Sequence, residues 1–381
     1  MSGMSRTVVS SGVRYHYAIE QAVLMDIVRP AITSIRGYVP GEQPQTDGWL
    51  KLNTNENPYP ASPMIADAVN AAITKGLQVY PDPHATSFRE AAAEVYNVDP
   101  DWILPANGSD ENLTILLRTF VEPQDTIAFP YPGYVLYDTL GRIQGCNVEP
   151  ILLDSNWNLS DGAQQLAEQA KLVLVPNPNS PSGTFMDDAA IDALTPKHGL
   201  MVLDGAYADF ADSPQQPAEF LNIARQHRVV FTRTLSKSYS LAGLRFGFAI
   251  GHPDLIAQMG KVKDSYNCDA LAIAAATAAM KDQDWMLANR AKILATRARA
   301  QTAFSELGFT VTPSEANFLW MTHPTGEHKR IYEQLKERQI LIRYMQFPLV
   351  KRGENDFDGL RVTIGTDQEI DSLLTVLQEI I

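Results

Sequence analysis

The sequence holds only two cysteines, Cys146 and Cys268. They are too few for a disulfide framework and fit no metal-ligand spacing, so a reducing cytoplasm is the expected setting. The seven histidines are scattered singly, and no HExxH or Cys/His cluster signals a metal. Positive charge is also short: 31 Lys and Arg stand against 44 Asp and Glu, a formal net charge of −13. That balance argues against a general nucleic-acid binder, whose phosphate contacts need clustered cations, yet it leaves room for a local cationic pocket. No apolar run reaches the ~18 residues of a membrane span. Residues 1–25 lack an apolar stretch of signal-peptide length and are expected to form a flexible arm, not an export signal. There is no GxxxxGK[ST] loop, and no GxGxxG follows the first candidate strand.

What remains is an ordinary globular composition, 45% hydrophobic and 20% charged over 381 residues, enough for one large domain and a smaller one. Residues 26–60 are rich in Pro, Gly and Asn and read as an extended segment. Ser62-Pro63 starts one helix and Thr86 or Ser87 caps a second. From Trp102 short apolar runs alternate with amphipathic stretches. Strands are expected at Trp102–Leu104, Thr126–Phe129, Val148–Leu152, Leu172–Val175, Leu200–Leu203, Val229–Thr232 and Phe246–Ile250, with helices at Asp110–Val121, Tyr134–Ile143 and Asp187–Leu194. Continuously apolar strands alternating with helices imply an α/β fold with a mostly parallel sheet sandwiched by helices. After Pro253 the pattern turns helical, including a long helix over Asp282–Leu307. Strand-like runs at Phe318–Met321, Ile340–Arg343 and Leu360–Ile364, with helices near His328–Arg338 and Asp367–Ile380, suggest a smaller α+β domain. The expected division is an arm (1–25), a segment joining the small domain (26–60), a large domain (61–264) and a small one (265–381).

In such a sheet ligands bind at the carboxyl ends of the strands, so the loops there carry the chemistry. Gly108-Ser109-Asp110-Glu111-Asn112 opens a helix, where free backbone N–H groups favour an anion; alone it is more often a plain cap. Asn177-Pro-Asn-Ser-Pro-Ser-Gly183 alone is a turn. Asp204 ends an apolar strand, with Tyr207 close behind. Lys237 lies in Thr234-Leu-Ser-Lys237 between two strands, followed by Arg245.

No member of this set is specific by itself, but their order, with Pro132-Gly133-Tyr134 between the first two loops, strongly resembles the fold-type-I pyridoxal-phosphate (PLP) aminotransferases. The resemblance spans about residue 26 to the C-terminus. It implies that Lys237 holds the cofactor covalently and later moves the substrate's α-proton. It further implies that Asp204 pairs with the pyridinium nitrogen, that Tyr207 lies near the ring's O3′ and that Tyr134 stacks on its face. Ser109, Asp110, Ser236 and Arg245 match the phosphate cup. Tyr80, in Tyr-Pro-Asp-Pro, matches a tyrosine that reaches the phosphate from a neighbouring subunit, which implies a homodimer with shared sites. Relatives carry Asn where Ser180 stands, so Asn179, or else Asn177, is expected to take over its contact with O3′.

Arg361 sits in an otherwise apolar strand, where an unpaired charge is costly and a substrate carboxylate is the natural partner; a structural acid is the alternative. Arg343 alone is even between function and surface. Leu360-Arg-Val-Thr-Ile-Gly-Thr366, Glu315–Leu319, Asn55–Tyr59 and Val28–Tyr38 together look like the histidinol-phosphate aminotransferases. That resemblance implies Tyr38 and Arg343 on the substrate's phosphate, Arg361 on the carboxylate of glutamate or 2-oxoglutarate, and Asn57 at the substrate. An aromatic aminotransferase, or a threonine-phosphate decarboxylase, on the same frame is the rival reading. A PLP-binding regulator need not keep Lys237, and no basic extension supports one.

Overall fold

Short runs of Val, Leu and Ile without polar alternation are stable as strands only when both faces are covered. The computed structural model describes residues 27–35, 37, 40–217, 228–352 and 355–381; the expected arm 1–25 and Tyr38 lie outside the described residues. After a two-residue strand β1 (Leu50–Lys51), seven strands form one sheet. They are β2 (Ile103–Ala106), β3 (Thr126–Tyr131), β4 (Asn147–Leu152), β5 (Leu172–Pro176), β6 (Leu200–Asp204), β7 (Val229–Thr234) and β8 (Gly247–Gly251). Their spatial order is β2-β8-β7-β6-β5-β3-β4. Only β8 runs antiparallel to its neighbours; the other pairs are parallel. Every residue of β5, β6, β7 and β8 is buried, which accounts for their largely apolar character; the polar exceptions, Asp204, Thr232, Arg233 and Thr234, fall at the carboxyl ends of β6 and β7.

Helices α1 (Met64–Lys75), α2 (Thr86–Tyr96), α3 (Gly108–Phe120), α4 (Leu136–Gln144), α5 (Ala163–Gln169), α6 (Asp188–Ala193), α7 (Pro253–Val262) and α8 (Ala270–Lys281) accompany the sheet. Helix α8 falls in the stretch expected to belong to the smaller domain, yet it packs on α1 and α2. Its Ala272, Ala276 and Ala279 enter the same core as Phe88 and Ala92, small side chains letting the helices approach closely.

A second core is built by α9 (Gln283–Glu306), α10 (His328–Glu337) and α11 (Asp367–Ile380), through Ile293, Phe304, Leu335, Leu373 and Leu377 among others. These helices accompany an antiparallel sheet of β9 (Thr310–Val311), β10 (Phe318–Thr322), β12 (Arg343–Arg352) and β13 (Asn355–Thr363), in the order β12-β13-β10-β9. Between α10 and β12, β11 (Ile340–Leu341) pairs in parallel with β1, so the N-terminal segment joins this smaller unit through Leu50 and Lys51. The single strand expected over Ile340–Arg343 is therefore two: β11, and a long strand that begins at Arg343.

The parallel strands bring the carboxyl ends of β3, β5, β6 and β7 to one edge. Thr234 and Ala106 both pair with Gly247, which sets the end of β2 and the start of β8 at that edge too. The loops carrying Ser109, Tyr134, Ser180, Tyr207 and Lys237 all open there.

Candidate active site

A cavity of about 470 Å³ lies over this edge, lined by the loops after β2, β3, β5, β6 and β7, by residues 53–56 and by Arg343, Met345 and Arg361 of the smaller sheet. Lys237 is on its wall. Its Nζ donates to the Thr54 carbonyl at 3.0 Å and lies 5.7 Å from the centre of the Tyr207 ring.

Asp204 ends β6 with its carboxylate buried and held by three donors. Tyr137 Oη donates to Oδ2 at 2.8 Å, Thr232 Oγ1 to Oδ1 at 2.9 Å and the Ala206 N–H to Oδ1 at 3.2 Å. Burial still wins, raising the Asp204 carboxyl above the usual carboxylate range, while the bonds from Tyr137 and Thr232 pull the other way. Tyr137, buried on α4 and facing this carboxylate, has its phenol pushed well up by the same burial. The Tyr207 hydroxyl accepts from Asn55 Nδ2 at 2.9 Å, and its ring meets Phe318 edge-on at 4.9 Å.

The first turn of α3 faces Arg245. Arg245 donates to Ser236 Oγ at 3.3 Å and lies 3.7 Å from Asp110 Oδ2; Asp110 Oδ1 accepts from the Tyr134 hydroxyl at 3.1 Å. Gly108 has a left-handed φ of 78°, and a Cβ there would stand 2.9 Å from the Arg245 guanidinium. A Cβ on Gly247 would come within 2.6 Å of the Ser109 nitrogen. Both glycines are there because backbone and guanidinium must close on one small volume. Helix N–H groups, two serine hydroxyls and an arginine around that volume make an anion cradle.

Arg343 and Arg361 face each other across β12 and β13 as a directly paired position. Like charges so placed repel, and an anion bound between them offsets the cost. Arg361 donates to Ser180 Oγ at 3.2 Å and to the Asn53 carbonyl at 3.0 Å, with its guanidinium carbon 5.2 Å from the centre of the Phe318 ring.

Residues 47–377 match the family described as "Aminotransferase class I and II". The chain is 48% identical to the histidinol-phosphate aminotransferase of Rhodopirellula baltica over 354 residues, which is 92% of this chain and 94% of that one. It is 41% identical to that of Geotalea daltonii over 356 residues, 93% and 99% of the two chains. The chain belongs to the histidinol-phosphate aminotransferase family. The same fold is found in the Sinorhizobium meliloti histidinol-phosphate aminotransferase, solved in complex with pyridoxal-5′-phosphate. It aligns with a TM-score of 0.81 at 23% identity, covering 93% of this chain and 97% of that one.

Within this family frame, Ser109, Asp110, Tyr134, Asp204, Tyr207, Ser236, Lys237, Arg245, Arg343 and Arg361 all come together on the cavity wall. Four expected residues do not. Asn179 is turned into its own loop, donating to Pro132 O at 3.2 Å and Ser182 Oγ at 2.9 Å, while Ser180 takes the place on the wall. Asn177 is likewise spent on the Met186 backbone and Gln215. Asn57 braces the catalytic loop instead of facing the cavity: its Nδ2 donates to the carbonyls of Lys237 at 3.1 Å and Ser238 at 3.2 Å, and its Oδ1 accepts from Tyr59 N. Tyr80 is 78% exposed, stacked on Tyr266 at 4.5 Å and remote from its own chain's cavity. The reading from sequence also missed Asn53, Asn55, Thr232 and Tyr137. Tyr137 had a usable signal, a second tyrosine three residues after Tyr134 in the turn that leads into α4, where its N–H donates to the Tyr134 carbonyl at 3.2 Å.

Proposed function

We propose that this protein is a PLP-dependent transaminase exchanging an amino group between L-histidinol phosphate and 2-oxoglutarate, giving imidazole-acetol phosphate and L-glutamate, a step of histidine biosynthesis. The observation that carries the reading is the Arg343–Arg361 pair facing the same cavity as Lys237. Histidinol phosphate has no carboxylate and glutamate has no phosphate, so one cavity serving both in turn needs cations that accept either anion. On this reading Arg343, with Tyr38, holds the phosphate, and Arg361 holds the carboxylate of the oxo acid or glutamate.

The residues present fit the cofactor. The cradle of α3, Ser109, Ser236 and Arg245 suits its phosphate, and the buried Asp204, raised by desolvation, gains a cationic partner in a protonated ring nitrogen. When bound, PLP supplies a ring that takes up the electron pair left at the substrate Cα. With the cofactor bound, Asp204 would keep the ring nitrogen protonated, Tyr134 would pack on the ring face and Tyr207 would donate toward O3′, with Ser180 offering a hydroxyl from the wall in place of the Asn179 amide. Lys237 Nζ would hold the cofactor and, as a free amine, would move the substrate's Cα proton.

The active unit on this reading is a homodimer in which Tyr80 reaches the neighbouring subunit's phosphate cradle. Its exposure beside Leu77 and Val79 supports a partner surface there. The free thiols Cys146 and Cys268 support a reducing, cytoplasmic setting. Division into a larger and a smaller domain is best drawn near Asp282, where packing passes from α8 to α9. The test is kcat/KM for histidinol phosphate, phenylalanine and threonine phosphate in the wild type and Arg343→Ala. Histidinol phosphate is expected to be the best substrate and to lose about 10- to 100-fold in the variant, the worth of a charge-assisted contact. A preference for phenylalanine, or an unaffected Arg343→Ala, overturns the assignment.

A further inference from the structure

The cavity that gathers Lys237, Arg245, Arg343 and Arg361 also holds one carboxylate unaccounted for by anion binding, that of Glu56. A negative charge here repels the phosphates and carboxylates that the arginines attract, so its position calls for a ligand group of another kind. Its Oε2 accepts from Lys51 Nζ and from Thr54 Oγ1, the latter at 2.8 Å. Its Oε1 has no partner among the described residues. Burial alone would raise its pKa, but the bonds from Lys51 and Thr54 and the charges of Lys51 and Lys237 outweigh this and hold it below the usual range. The carboxylate is thus fixed at one oxygen, ionised, and open at the other. Thr54, two residues earlier, takes the Lys237 Nζ bond on its carbonyl, so Glu56 stands close to the reacting amine.

We propose that Glu56 recognises the substrate's imidazole, with Oε1 accepting the ring N–H. This rests on the histidinol-phosphate reading above. In that substrate the amine is committed to the chemistry and the phosphate to the cations. The ring N–H is the remaining donor, and a carboxylate is its strongest acceptor. Glutamate has no such donor on its side chain and draws nothing from Glu56. The residue therefore acts in one half of the exchange and not in the other, a selectivity that a merely structural partner of Lys51 would not produce.

The two half-reactions of the holoenzyme separate these cases. In Glu56→Met, similar in length and lacking an acceptor, the ratio of kcat/KM for histidinol phosphate to that for glutamate is expected to fall about 10- to 100-fold. Glu56→Gln keeps an acceptor without the charge and is expected to fall less. Calorimetric titration of histidinol phosphate into the pyridoxamine form, where no transfer can occur, should show Kd weakened by a similar factor. Equal losses in both half-reactions, or an unchanged ratio, overturn the proposal. The wild type provides a check that needs no variant to fold: it should prefer histidinol phosphate to phenylalaninol phosphate, which keeps the amine and phosphate but has no ring N–H. Equal use of the two overturns the role of Glu56 while leaving phosphate recognition intact. Poor use of both, with phenylalanine or threonine phosphate preferred, overturns the parent reading instead.

Discussion

Asp204 carries a charge that the empty protein would be better without. Its folded pKa lies above the unfolded one, so its contribution to stability is full below the unfolded carboxylate range and is lost as pH rises through the folded value. Asp204→Asn keeps the shape and the acceptor for Thr232 and removes that penalty. In cofactor-free protein its melting temperature relative to wild type is expected to rise as pH climbs from the ordinary carboxylate range, ~4, through the raised folded value, with activity falling about 100-fold or more at every pH. A relative melting temperature that falls over this interval contradicts the account. Lys237→Ala is expected to abolish the visible absorption of the lysine-bound cofactor and to cost at least about 100-fold in rate. Both residues could be found from the sequence through the order of the loops that carry them, since neither is specific by itself. Asn57 and Asn179 could be found only as asparagines. Nothing in the sequence says which way an amide points, and both turn their side chains to the backbone of a catalytic-edge loop.

The start of α3 depends on Gly108 more than on its acidic neighbours. Gly108→Ala would force a Cβ into left-handed backbone, costing about 1–2 kcal/mol, and push Arg245 away from the cradle. Denaturant unfolding should register the first effect. Equilibrium dialysis of the cofactor should register the second, as binding weaker by about tenfold, the loss of one charge-assisted contact. Element positions in the large sheet followed closely from its apolar runs: β5 and β6 differ from expectation only by one residue at their ends. The β12–β13 hairpin did not follow. Gln346, Lys351, Asp356 and Asp358 interrupt its apolar pattern, and those strands are held by pairing with each other, a long-range fact that a local pattern does not contain. Helix α8 packs back on α1 and α2, a choice its sequence does not reveal, since its alanines fit any close-packed surface.

At the scale of the molecule, the proposed shared-site homodimer makes a prediction that single-chain variants cannot. Lys237→Ala and Tyr80→Ala proteins, each weakly active alone, should regain activity when unfolded and refolded together, because a mixed dimer contains one site with both residues intact. Activity no greater than the sum of the parts would remove Tyr80 from the neighbouring site. The small pairing of β1 with β11 has a different consequence. Through it residues 50–56 are anchored to the same body as Arg343 and Arg361, whereas Asp204, Lys237 and Arg245 belong to the large sheet. The groups proposed to read the substrate thus ride on one side of a seam and the groups proposed to grip the cofactor on the other. The seam is crossed by the Lys237–Thr54 and Asn57–Lys237 bonds. Once the Lys237 amine is taken up by the cofactor its bond to Thr54 would be given up, so the state of a single amine is coupled to how firmly the two halves of the enzyme are fastened together.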